Sequence, residues 1–231
     1  MGIDKRRNYY VVLDTETCNG LVQDDGGLDL SQSLVYDIGW QVIDKKGNVY
    51  ESHSFAIFEI FCEMRDVMVS AYYAEKIPSY WDDIKRKNRT LVRFSTARKA
   101  LIDDLKRYNV KAVMAHNAGF DVRALNNTER WITKSKYRFF FPYGTEIWDT
   151  LKMAMDTICK QKSYISYCES NGYMTKHRKP RVRATAEILY RYISGNDEFA
   201  EEHQGLADVK IESEIFVHCM RQHKKMRKSL Y

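Results

Sequence analysis

An apolar run, Tyr9-Tyr10-Val11-Val12-Leu13, ends in Asp14-Thr15-Glu16. Residues i and i+2 of a strand project from one face, so Asp14 and Glu16 set two carboxylates side by side. Close carboxylates raise each other's pKa unless a cation lies between them. Hard oxygen ligands on a rigid strand end are what Mg²⁺ or Mn²⁺ requires. The same three letters also occur at solvated strand ends. A second acid, Asp121, closes His116-Asn117-Ala118-Gly119-Phe120-Asp121, in the first turn of a predicted helix. A carboxylate there is favoured by the helix dipole, which is also a purely stabilising role. A third, Asp208, follows His203-Gln204-Gly205-Leu206-Ala207 and shares a helical face with Ile211 and Ile215. A carboxylate in line with an apolar stripe is costly to bury unless a cation or donor compensates it. His203 would lie about 140° away around the same helix, which places it on the preceding loop.

These residues need elements to carry them. Tyr9 to Leu13 reads as a strand buried on both faces. After a loop containing Asp24-Asp25-Gly26-Gly27, the alternation of Leu34, Tyr36, Ile38, Trp40 and Val42 predicts a second strand. Asp44 to Asn48 is turn-like, and residues 49–58 return as a third strand. Phe94, Ala97, Leu101, Leu105 and Tyr108 recur at helical spacing, with Ser95 as the expected N-cap. Residues 111–115 form a buried strand that feeds a helix from Gly119. A short strand at 146–148 precedes a helix through Leu151, Met155 and Ile158. A further helix, 185–193, stops at Gly195, and the last runs over about 205–218. Strands first and β/α alternation after predict an α/β fold, a mixed central sheet of about five strands flanked by helices.

The 231 residues are 44% hydrophobic and 29% charged, a globular mixture expected to form a single domain. No apolar run approaches a membrane span, and the N-terminus enters a strand without a signal-like segment. Five cysteines without a CxxC pair are expected as free thiols. A Cys159/Cys168/His177 metal site is the rival reading. A reducing intracellular location, cytoplasmic or equivalent, is expected rather than secretion. The net charge of +6 favours a polyanionic partner.

The three acidic motifs, in this order and setting, closely resemble the DEDDh (DnaQ-like) 3′→5′ exonucleases of the ribonuclease-H-like superfamily. Asp14-Thr15-Glu16 matches the first motif, Asn117 to Asp121 the second (NxxFD), and His203 with Asp208 the third (HxxxxD). The resemblance covers residues 9–217. It implies the ribonuclease-H-like fold, and two divalent cations, Mg²⁺ or Mn²⁺, held by Asp14, Glu16, Asp121 and Asp208, with His203 as general base. It implies hydrolysis from the 3′ end of DNA, single-stranded by preference, releasing nucleoside 5′-monophosphates. RNA end-trimming is the alternative, and a non-catalytic nucleic-acid-binding or polymerase-associated subunit is the rival from another class. A replication or repair partner would supply any processivity.

For substrate contact the candidates are Thr15, Thr17 and Asn117 beside the acids, and Lys176, Arg178 and Lys179 in the basic loop 176–183. A basic and aromatic insertion around 126–145 suits single-stranded nucleic acid, or packs onto the core through its phenylalanines. The basic tail 221–231 reads as a solvated or frayed end.

Overall fold

The computed structural model describes residues 3–19, 32–69, 71 and 74–231. The stretch Asp24-Asp25-Gly26-Gly27 lies outside them. Six strands form one sheet: β1 (Tyr9–Cys18), β2 (Leu34–Asp44), β3 (Val49–Ile57), β4 (Thr90–Val92), β5 (Ala112–Ala115) and β6 (Ile147–Asp149). Their order is β4-β3-β2-β1-β5-β6. β1, β2 and β3 pair antiparallel, whereas β4, β5 and β6 join in parallel. The strand absent from the sequence expectation is β4, three residues long and too short to show a period.

Nine α-helices surround the sheet among the described residues. They are α1 (Phe58–Phe61), α2 (Arg65–Met68), α3 (Ile77–Lys85), α4 (Phe94–Arg107), α5 (Gly119–Thr133), α6 (Thr150–Asp156), α7 (Lys162–Ser170), α8 (Ala186–Ser194) and α9 (Gly205–Arg221). Side chains alternate across β1. Tyr9, Val11 and Leu13 enter a core shared with α4 and α5. Tyr10 and Val12 enter a second core with α6, α8 and α9. β2 alternates in sequence yet is buried along its whole length, because both of its faces are covered.

Ser95 is not the cap of α4. The helix begins at Phe94, whose amide donates to Glu59 Oε2 of α1 at 3.0 Å. Thr185 and Gly195 do bound α8, the glycine at φ 68°. Residues 126–133 are the second half of α5 rather than an insertion. The tail is held rather than frayed. Arg227 bonds Asp156 at 2.8 Å, and Ser229 pairs antiparallel with Trp148 of β6.

Candidate active site

The end of β1 carries the first two acids towards α9. Asp14 pairs across to Gly39 and Glu16 to Asp37, and the register shifts between Glu16 and Thr17. Such a bulge bends the strand and re-aims the side chains beside it. Thr15 points to the opposite face, where its hydroxyl donates to Asp121 Oδ1 at 2.8 Å. Asp121 stands in the first turn of α5 on that face. Thr15 thus locks the second-motif acid to the strand bearing the first, and its buried hydroxyl is engaged there.

Asp208 sits in the first turn of α9 and accepts the Gln204 amide at 2.8 Å through Oδ2. Ligand atoms of Glu16, His203 and Asp208 all lie within 4.8 Å of one another. Burial, followed by Asp208 and Asp37, lifts the Glu16 pKa to about 9. Burial, followed by Glu201, lifts Asp208 to about 8. Asp121 rises to about 7 through burial, with the Thr15 hydroxyl opposing the rise. Asp14 is raised by burial and then by its neighbours Glu212, Asp121, Glu16 and Asp208. Buried acids that raise one another's pKa in this way form a site for positive charge.

His203 occupies the loop before α9 at φ 49°, and its surroundings pin that loop. Lys76 donates to the Glu202 carbonyl, and Arg89 Nη2 donates to Gln204 Oε1 at 3.2 Å. Asp37 accepts the Gly205 amide at 3.0 Å and the Tyr80 hydroxyl at 2.9 Å, and it pairs with Arg89. The Arg89 guanidinium lies 3.9 Å from the centre of the Tyr80 ring. Burial, and then Lys76, lowers the His203 pKa, which keeps the imidazole neutral near pH 7.

A cleft of about 790 Å³ opens from Asp14 and Glu212 past His116 and Asn117 to the basic loop. The loop is a tight hairpin, with Met174 bridged to Val182 and the Thr175 amide bonded to the Arg181 carbonyl at 2.8 Å. That geometry brings Thr175, His177, Arg181 and Arg183 to the cleft. Lys176, Arg178 and Lys179 are exposed and do not line it. Asn117 lines the cleft at φ 65°, its amide held by Asp149 Oδ1 at 3.1 Å. Thr17 lies half-buried beyond the bulge. Leu151, Met155 and Cys159 provide an apolar floor.

The aromatic segment divides. Phe140 is buried in the core, whereas Phe139, Tyr137 and Tyr143 are exposed. Trp131 lies at the far end of α5 from Asp121, in a separate groove with Arg130, Lys134 and Lys136. Cys159, Cys168 and His177 do not come together as a metal group among the described residues. All five cysteines are free thiols.

No family model and no curated protein matches the chain. Solved structures do. A 3′-exonuclease described in "3'-end specific recognition of histone mRNA stem-loop" aligns at TM-score 0.61 and 13% identity, over 96% of this chain and 85% of that one. The nuclease domain of 3'hExo, "a DEDDh family member, bound to rAMP", aligns at TM-score 0.59 and 14% identity, over 97% and 98%. The chain has the fold of the DEDDh 3′-exonucleases. The Mg²⁺- and Mn²⁺-bound Pop2p of S. pombe also aligns, at TM-score 0.52 and 14% identity, over 95% and 85%.

On this fold, Glu16 of β1, Asp208 of α9 and His203 of the preceding loop come together, and Asp14 feels the charges of Glu16, Asp121 and Asp208. Sequence reasoning missed Glu212, one turn beyond Asp208 but set in the polar run Glu212-Ser213-Glu214. It also missed the Asp37–Arg89 pair, for which no local signal exists. No helix among the described residues is long and apolar enough to cross a membrane.

Proposed function

We propose that the protein is a divalent-metal-dependent 3′→5′ exonuclease that releases nucleoside 5′-monophosphates from DNA, with single strands preferred. The observation that supports this reading best is the cluster of Glu16, His203 and Asp208, with Asp14 under the electrostatic influence of Glu16, Asp121 and Asp208 and itself lining a cleft that also carries Arg181 and Arg183. The donor set fits hard cations. It consists of carboxylates, and Asp208 Oδ1 is a buried acceptor without a hydrogen-bond partner among the described residues. Asp14, Glu16, Asp121 and Asp208 would hold two such ions, Mg²⁺ or Mn²⁺. Bound there, the ions supply electrostatic stabilisation of the charge that develops on a phosphate under in-line attack.

The chain's own residues do the rest. His203, held neutral, accepts the proton of the attacking water. Thr15 keeps Asp121 oriented, and the Asp37–Arg89 pair keeps the His203 loop against β2. Arg181, Arg183 and His177 face the phosphates of the strand entering the cleft, while Leu151 and Met155 offer it apolar surface.

RNA 3′ ends are the second reading. It is favoured by the neighbours described with a histone mRNA stem-loop and with rAMP. The deciding assay offers purified protein 5′-labelled single-stranded DNA, duplex DNA and RNA, with Mg²⁺, Mn²⁺ or chelator. Progressive shortening of one substrate from its 3′ end, abolished by chelator and by Asp14→Ala or Asp208→Ala, is expected. Full cleavage by Asp14→Ala in chelator would overturn the metal-dependent reading.

A further inference from the structure

Glu212 stands on α9 four residues after Asp208, so both side chains leave the same face of the helix. It is only 3% exposed, although it lies at the head of the cleft beside Asp14. Its Oε2 has no hydrogen-bond partner among the described residues. Asp14, Asp121, Asp208 and Glu201 are the acids around it. The buried apolar side chains of this helix, Ile211 and Ile215 among them, belong to the apolar core, whereas Asp208 and Ser213 are buried polar residues like Glu212. An apolar residue would bury there at no such cost, because a carboxylate oxygen without a partner forfeits its hydration. A buried oxygen of this kind facing a group of acids calls for a positively charged partner.

We propose that Glu212 is a fifth cation-directed carboxylate of this site, with Oε2 as its ligand atom. The assignment rests on the metal-dependent reading above and extends it to a residue outside the three motifs. The physical alternative is a protonated Glu212 that donates to Asp14 or Asp121 and only shapes the site. Glu212→Gln separates the two, because an amide keeps the shape and a donor but loses the anionic oxygen.

The test is binding of Mn²⁺ to metal-free protein, followed by calorimetry and by loss of the free-ion paramagnetic resonance signal. Wild type, Glu212→Gln and Asp208→Asn are compared, with thermal unfolding in chelator as the check on folding. Glu212→Gln is expected to stay folded and to bind Mn²⁺ about tenfold or more weakly, or with one ion fewer. Should that variant not fold, Glu212→Met, which fills the same apolar surroundings, carries the same expectation. Wild-type Mn²⁺ binding by the folded Glu212 variant, alongside a loss in Asp208→Asn, overturns the Glu212 assignment and leaves the metal-dependent reading intact. A wild-type protein that binds no Mn²⁺ overturns both.

Discussion

Gly39 of β2 and Gly205 at the start of α9 meet backbone to backbone. A Cβ on Gly39 would lie 2.3 Å from the Leu206 nitrogen, and one on Gly205 would lie 2.8 Å from the Gly39 nitrogen. Both atoms are main chain, so neither can swing aside. This contact sets the height of α9 above the sheet, and with it the distance from Asp208 and His203 to Asp14.

Gly39→Ala is therefore expected to force α9 away from β2. Overpacking costs about 1–3 kcal/mol, and a rigid neighbour puts this case near 3. For a chain of this length that is a fall in Tm of roughly 6–12 °C. Thermal unfolding measures it, and Mn²⁺ titration should show weakened binding as the acids separate. An unchanged Tm would mean that the close approach does not exist.

The raised carboxylates set a pH dependence in the metal-free protein. Glu16, Asp208 and Asp121 have folded pKa values of about 9, 8 and 7, above ordinary carboxylates. The folded state then binds more protons than the unfolded chain between about pH 4 and 9, so stability falls as pH rises through that window. In chelator, Tm should drop by several degrees between about pH 5 and 9. Mg²⁺ should restore more of it at the alkaline end, where the acids have shed their protons. A metal-free protein that gains stability with pH over this range would contradict the burial of these groups.

His203→Ala should lose about 10²–10⁴-fold in turnover while retaining metal and substrate binding. Burial and Lys76 hold the imidazole pKa below its usual value. The rising limb of the wild-type pH–rate profile should accordingly lie below about pH 6.5 and flatten in the variant. Wild-type rates from His203→Ala at every pH would remove the residue from the reaction.

Salt dependence distinguishes the two halves of the basic loop. Arg181 and Arg183 line the cleft, whereas Lys176, Arg178 and Lys179 point into solvent. Replacing both arginines by glutamine should reduce the slope of log affinity against log salt by about 1.4 for single-stranded DNA. The triple change Lys176→Gln, Arg178→Gln and Lys179→Gln should alter it less. The reverse ranking would place the strand on the outer side of the hairpin.

The strands and helices that carry the acids were legible because their periods are local. β1 is a continuous apolar run, and α9 shows its buried stripe at Ile211 and Ile215. Strand alternation set Asp14 and Glu16 on one face, whereas the full five-residue set came from the family resemblance rather than from any single spacing. What escaped is non-local. Glu59 caps α4 from 35 residues away, and Asp37 receives Gly205 from 168 away. Glu212 resembled any polar position in the run Glu212-Ser213-Glu214, since only the fold turns it inward. The four-residue helices α1 and α2 and the three-residue β4 hold too few turns or pleats for a pattern to emerge.

The paired tail has a consequence for how copies of this protein behave towards one another. The Asp149 amide donates to the Lys228 carbonyl at 2.8 Å, and the Leu230 amide to the Ile147 carbonyl at 2.9 Å. Those bonds occupy the outer side of β6, which would otherwise present free amides and carbonyls as a template for a foreign strand. Removal of residues 227–231 should therefore convert a dispersed protein into one that self-associates with concentration. Sedimentation over a dilution series would show the shift, and an unchanged sedimentation profile would mean that the exposed edge is harmless.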